Sequence, residues 1–265
     1  CQAVIAGAQA EGWSLAYLGA LPTPALAAWC MSSGQPGIMV TGSHIPADRN
    51  GLKFYLPSGE ILKRDEVAIA VLQQQLLAQE AADTSPVALD PLPAVQPDAR
   101  AAYLERFLTA WPAKALAGLK LVVYEHSAVG REFLVGLLRR LGAEVSTVGS
   151  SESFVPVDTE AIEEPAQLAA WVRAAGAHAL LSTDGDGDRP LLVDEHGVLV
   201  PGDLIGLLAA SALGADAVAL PISCNSAVER SNRFAAVRRT KIGSPYVIEG
   251  MRELRAGGAL RVVGF

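Results

Sequence analysis

A serine on a glycine-bearing turn and three aspartates within five residues are the groups in this chain best suited to chemistry. The serine is Ser43, in Thr41-Gly42-Ser43-His44-Ile45-Pro46, and the aspartates are Asp184, Asp186 and Asp188, in Asp184-Gly185-Asp186-Gly187-Asp188-Arg189. A hydroxyl able to carry a phosphoryl group and a carboxylate cage able to hold a divalent cation are together what metal-assisted phosphoryl transfer requires.

A lone serine is a poor nucleophile and needs activation or prior phosphorylation. Ser43 follows Gly37-Ile38-Met39-Val40, which reads as a strand, and precedes Pro46, which keeps the residue before it out of a helix. Gly42 lets the backbone come close to a ligand. A strand-to-turn serine beside His44 also fits a hydrolase, but adjacent residues rarely aim side chains at each other, and Gly-x-Ser-x-Gly is absent. The plainest alternative is an ordinary Ser/His/Pro turn.

In the second segment, glycines alternate with aspartates, so three carboxylates can turn inward on a tight loop. Such hard oxygen donors suit Mg²⁺ or Ca²⁺ rather than zinc. An EF-hand would account for the three aspartates and for Glu195 at loop position 12. It fails at Arg189, where position 6 requires glycine, and at apolar Leu192 in position 9. The flanks, Ala179-Leu180-Leu181 and Leu191-Leu192-Val193, read as strands rather than helices.

The two segments resemble the phosphoserine loop and the metal loop of the α-D-phosphohexomutases, in the phosphomannomutase/phosphoglucomutase branch. In the first loop the likeness runs from Thr41 through Gly51-Leu52-Lys53, with Ile45 where asparagine is commoner. The resemblance implies a phosphoserine at Ser43 with Lys53 or His44 assisting proton transfer. It implies Mg²⁺ held between Asp184, Asp186, Asp188 and a phosphate oxygen on Ser43, with Arg189 against that phosphate. Thr240-Lys241-Ile242-Gly243-Ser244-Pro245 resembles the third-domain loop that approaches the sugar, implying substrate contacts from Lys241, Gly243 and Ser244. A helix N-cap at Ser244 with Pro245 in first position is compatible with that role.

The implied activity is that of an isomerase acting as an intramolecular phosphotransferase. It would interconvert hexose 6-phosphate and hexose 1-phosphate, of mannose or glucose, through a hexose 1,6-bisphosphate, and work as a monomer or dimer. The alternative is a non-catalytic fragment that binds metal and sugar phosphate.

Alternating strands and helices must position these loops, and they argue for an α/β fold built from successive mixed or parallel α/β domains, with the active site in the cleft between them. Strands are expected at 119–124, 143–148, 178–182 and 217–220, and helices at 64–82, 133–138, 165–175 and from Asp203. Asp98 reads as a helix cap, and Val67, Leu72 and Leu76 share a helix face. A proline-rich, unperiodic stretch at 84–97 is the clearest linker. The expected division is domain I at 1–90, domain II at 91–199 and domain III at 200–265. Domain IV is absent from this sequence, and the first and third domains read as incomplete at the two ends. The chain opens as if inside a helix and stops in an apolar strand, as a piece of something longer would.

At 265 residues, 51% hydrophobic and 18% charged, the chain is globular rather than disordered. A formal charge of −7 argues against nucleic acid. Three sparse cysteines, no bilayer-spanning apolar run and no basic leader point to a cytoplasmic protein without membrane contact. His126 reads as a polar loop residue after a strand. Arg230, Arg233, Arg238 and Arg239 read as a solvated face.

Overall fold

The computed structural model describes residues 1–43, 49–80 and 90–265, with residues 79 and 80 described by backbone alone. His44 therefore lies outside the described residues, as do the end of the helix expected at 64–82 and much of the linker expected at 84–97.

Helices α1 (Gln2–Ala10) and α2 (Thr23–Ser33) precede a first sheet made of β1 (Gly37–Thr41), β2 (Gly51–Leu56) and β3 (Gly59–Glu60). This sheet is an antiparallel meander, in keeping with the sequence, where Leu52 to Leu56 and Glu60 to Leu62 read as a hairpin around Pro57-Ser58-Gly59. The reason is connection length. Two residues, Pro57 and Ser58, join β2 to β3, which permits only a hairpin. Thr41 faces Gly51 in the β1–β2 ladder, so the serine loop leaves and re-enters the sheet at one edge of a closed register, and Lys53 stands opposite Met39.

Helix α3 (Lys63–Glu80) follows. Its expected apolar face is largely exposed here, with Val67, Leu72 and Leu76 at 64%, 58% and 53% of full accessibility.

After α4 (Asp98–Ala110) comes a five-stranded mixed sheet: β4 (Lys120–His126), β5 (Glu144–Ser150), β6 (Ala179–Thr183), β7 (Pro190–Asp194) and β8 (Leu199–Val200), in the order β5-β4-β6-β7-β8. Helices α5 (Arg131–Arg140) and α6 (Pro165–Ala175) make the crossovers that keep β5-β4-β6 parallel. The β6–β7 and β7–β8 pairs are antiparallel. Val122, Val172, Leu180, Leu191 and Val193 form the core against α6. Asp98 is the first residue of α4 rather than its cap; Pro97 holds the cap position and no side chain caps the helix.

The third sheet is parallel, with β9 (Ala217–Pro221) between β10 (Ala236–Thr240) and β11 (Val262–Gly264). Helix α7 (Gly202–Ala212), the short α8 (Ala227–Arg230) and α9 (Ser244–Ala256) accompany it. Arg239 is not part of a solvated face. It donates to Glu229 and to the carbonyls of Pro221, Cys224 and Asn225, tying α8 to β10.

Candidate active site

Ser43 and the aspartate loop, far apart in sequence, meet at the ends of β1 and β6. The β6 strand delivers Asp184 at its C-terminal end, the end of a parallel sheet where ligands bind. Asp184 is fully buried and Asp186 nearly so, while Asp188 stays partly open. The turn is tight: Gly187 sits at φ 77° and its N–H donates to Asp184 Oδ1 at 3.1 Å. The Arg189 N–H donates to the same oxygen at 3.2 Å, so the backbone of the loop fixes its own first carboxylate.

Ser43 has φ 47°, a left-handed conformation that turns its side chain toward this loop. Its hydroxyl donates to Asp184 Oδ2 at 2.7 Å. The approach needs a glycine on the other side, because a Cβ on Gly185 would lie 2.5 Å from the Ser43 carbonyl oxygen. Arg189 reaches both partners, with Nε 3.2 Å from Asp184 Oδ2 and Nη2 3.5 Å from Ser43 Oγ. Its Nη1 lies 3.6 Å from Asp158 and 3.8 Å from Glu160.

Lys53 comes from β2. Its ammonium donates to Asp186 Oδ2 at 2.8 Å and to Asp188 Oδ2 at 2.5 Å. Thr23, at the start of α2, donates its hydroxyl to Asp186 Oδ2 at 2.7 Å and its N–H to the Asp186 carbonyl at 2.8 Å. Burial alone would push the Asp186 carboxyl up, but Lys53 and the Thr23 hydroxyl outweigh it and hold the group at about 2. Asp188 goes the other way: burial, with the neighbouring Asp186 and Asp184 charges, raises it against the pull of Lys53. Burial opposes the Lys53 charge, yet its hydrogen bonds to both aspartates raise it above the ordinary lysine value.

One oxygen from each of Asp184, Asp186 and Asp188 lies within 4.8 Å of the other two, so the trio can hold a metal ion. Like charges at that spacing repel by about 3–4 kcal/mol per pair at an effective dielectric near 20. Lys53 and Arg189 offset part of that repulsion, and Asp186 still offers a donor for a metal ion: its Oδ1 is buried with no hydrogen-bond partner among the described residues. The all-carboxylate donor set fits a hard divalent ion.

The expected sugar loop lies elsewhere, at the N-terminus of α9. Gly243 holds the cap position and Ser244 is the first helical residue, with Pro245 second, so Ser244 is not the cap. Its hydroxyl instead donates to Glu60 Oε1 on β3 at 2.9 Å, joining the third sheet's helix to the first sheet. The Lys241 ammonium sits 5.6 Å from the Tyr246 ring centre and Lys63 approaches the same ring at 5.8 Å. Glu60, the partner of Ser244, is in turn close enough for the charges of Lys53 and Asp188 to act on it.

Local spacing in the sequence missed three residues. Thr23 partners Asp186 across 163 residues, Glu60 partners Ser244 across 184, and His126 contacts the loop from below across 57. His126 is no loop residue; it is the fully buried last residue of β4.

A serine hydroxyl set against a buried carboxylate cluster on an α/β scaffold is the arrangement that the two sequence segments lead us to expect. Two family descriptions locate it further: phosphoglucomutase/phosphomannomutase alpha/beta/alpha domain I matches residues 1–79, and alpha/beta/alpha domain II matches residues 101–197. The chain belongs to the phosphohexomutase family. It is 48% identical over 249 residues to a phosphomannomutase of Sinorhizobium fredii, covering 93% of this chain and 52% of that protein. A phosphomannomutase of Salmonella muenchen is 44% identical over 257 residues, with 96% and 52% covered. The chain thus spans about half the length of these curated relatives. A crystal structure of a phosphoglucomutase/phosphomannomutase family protein from Burkholderia thailandensis shares the fold, with TM-score 0.63 and 22% identity over 92% of this chain and 54% of that one.

Proposed function

We propose that this chain carries the phosphoserine and metal-binding parts of a hexose phosphate mutase. Such an enzyme interconverts hexose 6-phosphate and hexose 1-phosphate, of mannose or glucose, through a hexose 1,6-bisphosphate. The observation that carries the reading is the Ser43 hydroxyl 2.7 Å from Asp184 Oδ2 with the Arg189 guanidinium beside it. Relatives bearing the phosphomannomutase name at 44% and 48% identity support the substrate class.

In this reading Asp184, Asp186 and Asp188, with the phosphate on Ser43, would hold Mg²⁺, which would supply charge neutralisation of the phosphate. Phospho-Ser43 gives its phosphoryl group to the free hydroxyl of a hexose monophosphate: the Ser43 O–P bond breaks and a sugar O–P bond forms. Arg189 offers two donors to the phosphate oxygens. Lys53, kept charged by Asp186 and Asp188, or His44 would assist proton transfer between the attacking sugar hydroxyl and the departing Ser43 oxygen. Lys241, Gly243 and Ser244 would meet the sugar phosphate from the N-terminus of α9, a natural place for an anion.

The three-part division at 1–90, 91–199 and 200–265 belongs to the same reading; the first and third sheets fall within the outer parts, and the middle sheet runs one residue past its part, to Val200 in β8. Three free cysteines favour a reducing, cytoplasmic setting, and no helix among the described residues is long and apolar enough to cross a membrane. The formal charge of −7 disfavours nucleic acid, and a monomer or dimer is the expected assembly.

Intact mass and peptide mapping, before and after incubation with glucose 1,6-bisphosphate and Mg²⁺, test the proposal. Phosphate on Ser43 supports it, and an unmodified Ser43 overturns it. A second reading is binding of metal and sugar phosphate without turnover. Multiple-turnover conversion of mannose 1-phosphate or glucose 1-phosphate would exclude it.

A further inference from the structure

The end of β4 holds the aspartate loop by means other than sheet pairing. The parallel β4–β6 ladder runs from Leu121↔Ala179 to Val123↔Leu181. Beyond it the strands lose that register, and three hydrogen bonds of other kinds take over in succession. Ser182 Oγ donates to the Tyr124 carbonyl at 2.7 Å, His126 Nε2 contacts the Thr183 carbonyl at 2.8 Å, and the Val129 N–H donates to the Gly185 carbonyl at 2.9 Å. The last two bracket Asp184, one on the residue before it and one on the residue after. A carbonyl can only accept, so His126 carries its proton on Nε2.

His126 is an unusual residue in which to invest this contact. It is fully buried, its Nδ1 has no hydrogen-bond partner among the described residues, and its backbone stands at φ 27°, a left-handed value that non-glycine residues rarely adopt. Arg131 Nη1 and the Ser151 N–H both donate to the His126 carbonyl, at 3.2 and 3.0 Å, and so hold that conformation. A strained, buried imidazole with one unmet nitrogen costs stability, and such costs are retained where the geometry serves a site. A leucine would fill the same space without an orphaned nitrogen, but it could not donate to Thr183.

We propose that His126 is the positioning residue of the aspartate loop: its Nε2–H, anchored on the Thr183 carbonyl, sets the direction in which Asp184 presents its carboxylate to Ser43 and to a divalent cation. This rests on the reading of Asp184, Asp186 and Asp188 as metal ligands. Partners that orient ligating groups from behind alter metal affinity by about 10- to 100-fold when removed.

The test is Mn²⁺ binding followed by electron paramagnetic resonance, with fold checked by circular dichroism. His126→Leu should weaken Mn²⁺ at least about tenfold, and His126→Gln, whose amide reaches far enough to donate to the same carbonyl, should recover most of it. Wild-type affinity in His126→Leu, or equal weakening in both variants, overturns the role. Should His126→Leu not fold, ¹⁵N-histidine NMR of the wild type decides. A proton on Nε2 with resonances that move on adding Mg²⁺ supports the proposal; a proton on Nδ1, or resonances that do not move, overturns it. Asp184→Asn separates the two levels of inference. If that variant binds Mn²⁺ as tightly as wild type, the metal site itself is misread. If it loses binding while His126→Leu does not, only the role of His126 fails.

Discussion

The Ser43 hydroxyl donates to the Asp184 carboxylate at 2.7 Å across 141 residues of sequence, and with the Lys53 bonds to Asp186 and Asp188 it joins the first sheet to the aspartate loop of the second. Its acceptor is buried and is also held by Arg189. Replacing Ser43 by alanine should abolish phosphate incorporation from glucose 1,6-bisphosphate while changing stability by about 1 kcal/mol, the worth of an ordinary hydrogen bond. Mass spectrometry and denaturant unfolding measure the two effects separately. Phosphate found on Ser43→Ala at another residue would remove Ser43 from the mechanism.

Lys53 is the cation nearest Asp186 and Asp188, and it stands in β2, opposite Met39. Lys53→Met keeps most of the unbranched side chain and deletes the charged nitrogen. Turnover should fall by about 10²- to 10⁴-fold, the range for losing a general acid or base. Mn²⁺ affinity should hold or rise, because the competing ammonium is gone. A Lys53→Met enzyme with normal kcat would leave the proton transfer to another group.

Gly185 is required for closeness rather than for its φ. With a Cβ 2.5 Å from the Ser43 carbonyl oxygen, Gly185→Ala must push the serine loop away from the aspartate loop. Backbone does not yield as a flexible side chain does, so the expected stability loss is about 1–3 kcal/mol. The loss in kcat should be larger than the stability change accounts for, since the Ser43–Asp184 distance is what moves. Wild-type kcat in this variant would show that the two loops need not touch.

Much of the site was legible because its chemistry is written in short runs. Asp184, Asp186 and Asp188 belong to one turn, and Ser43 and Lys53 belong to the two ends of one excursion from the first sheet. The crossovers of the middle sheet were legible too, since apolar strands and periodic helices alternate there. What could not be read was what depends on distant pairing. Thr23 looks like a helix start, and only the folded chain lays it on Asp186. Ser244 looks like a helix cap, whereas its hydroxyl goes to Glu60. The hairpin of the first sheet, by contrast, was legible in the turn residues Pro57-Ser58-Gly59.

Glu60 offers a prediction in pH. Burial raises its carboxyl above the ordinary 4.5, although the Ser244 hydroxyl and the Lys53 charge pull the other way. The folded protein therefore holds the Glu60 proton more tightly than the unfolded chain does. Between 4.5 and the higher folded value, the folded state binds more protons, and stability from this group falls as pH rises. At neutral pH the ionised carboxylate is a net cost that the native state carries. Glu60→Gln keeps an oxygen to accept from Ser244 and removes the charge. The variant should be more stable than wild type at pH 7, with the difference shrinking as pH falls and vanishing below about 4.5. Urea unfolding of both proteins at several pH values measures it. An advantage of constant size from pH 4 to pH 7 would show that the ionisation of Glu60 is not its source.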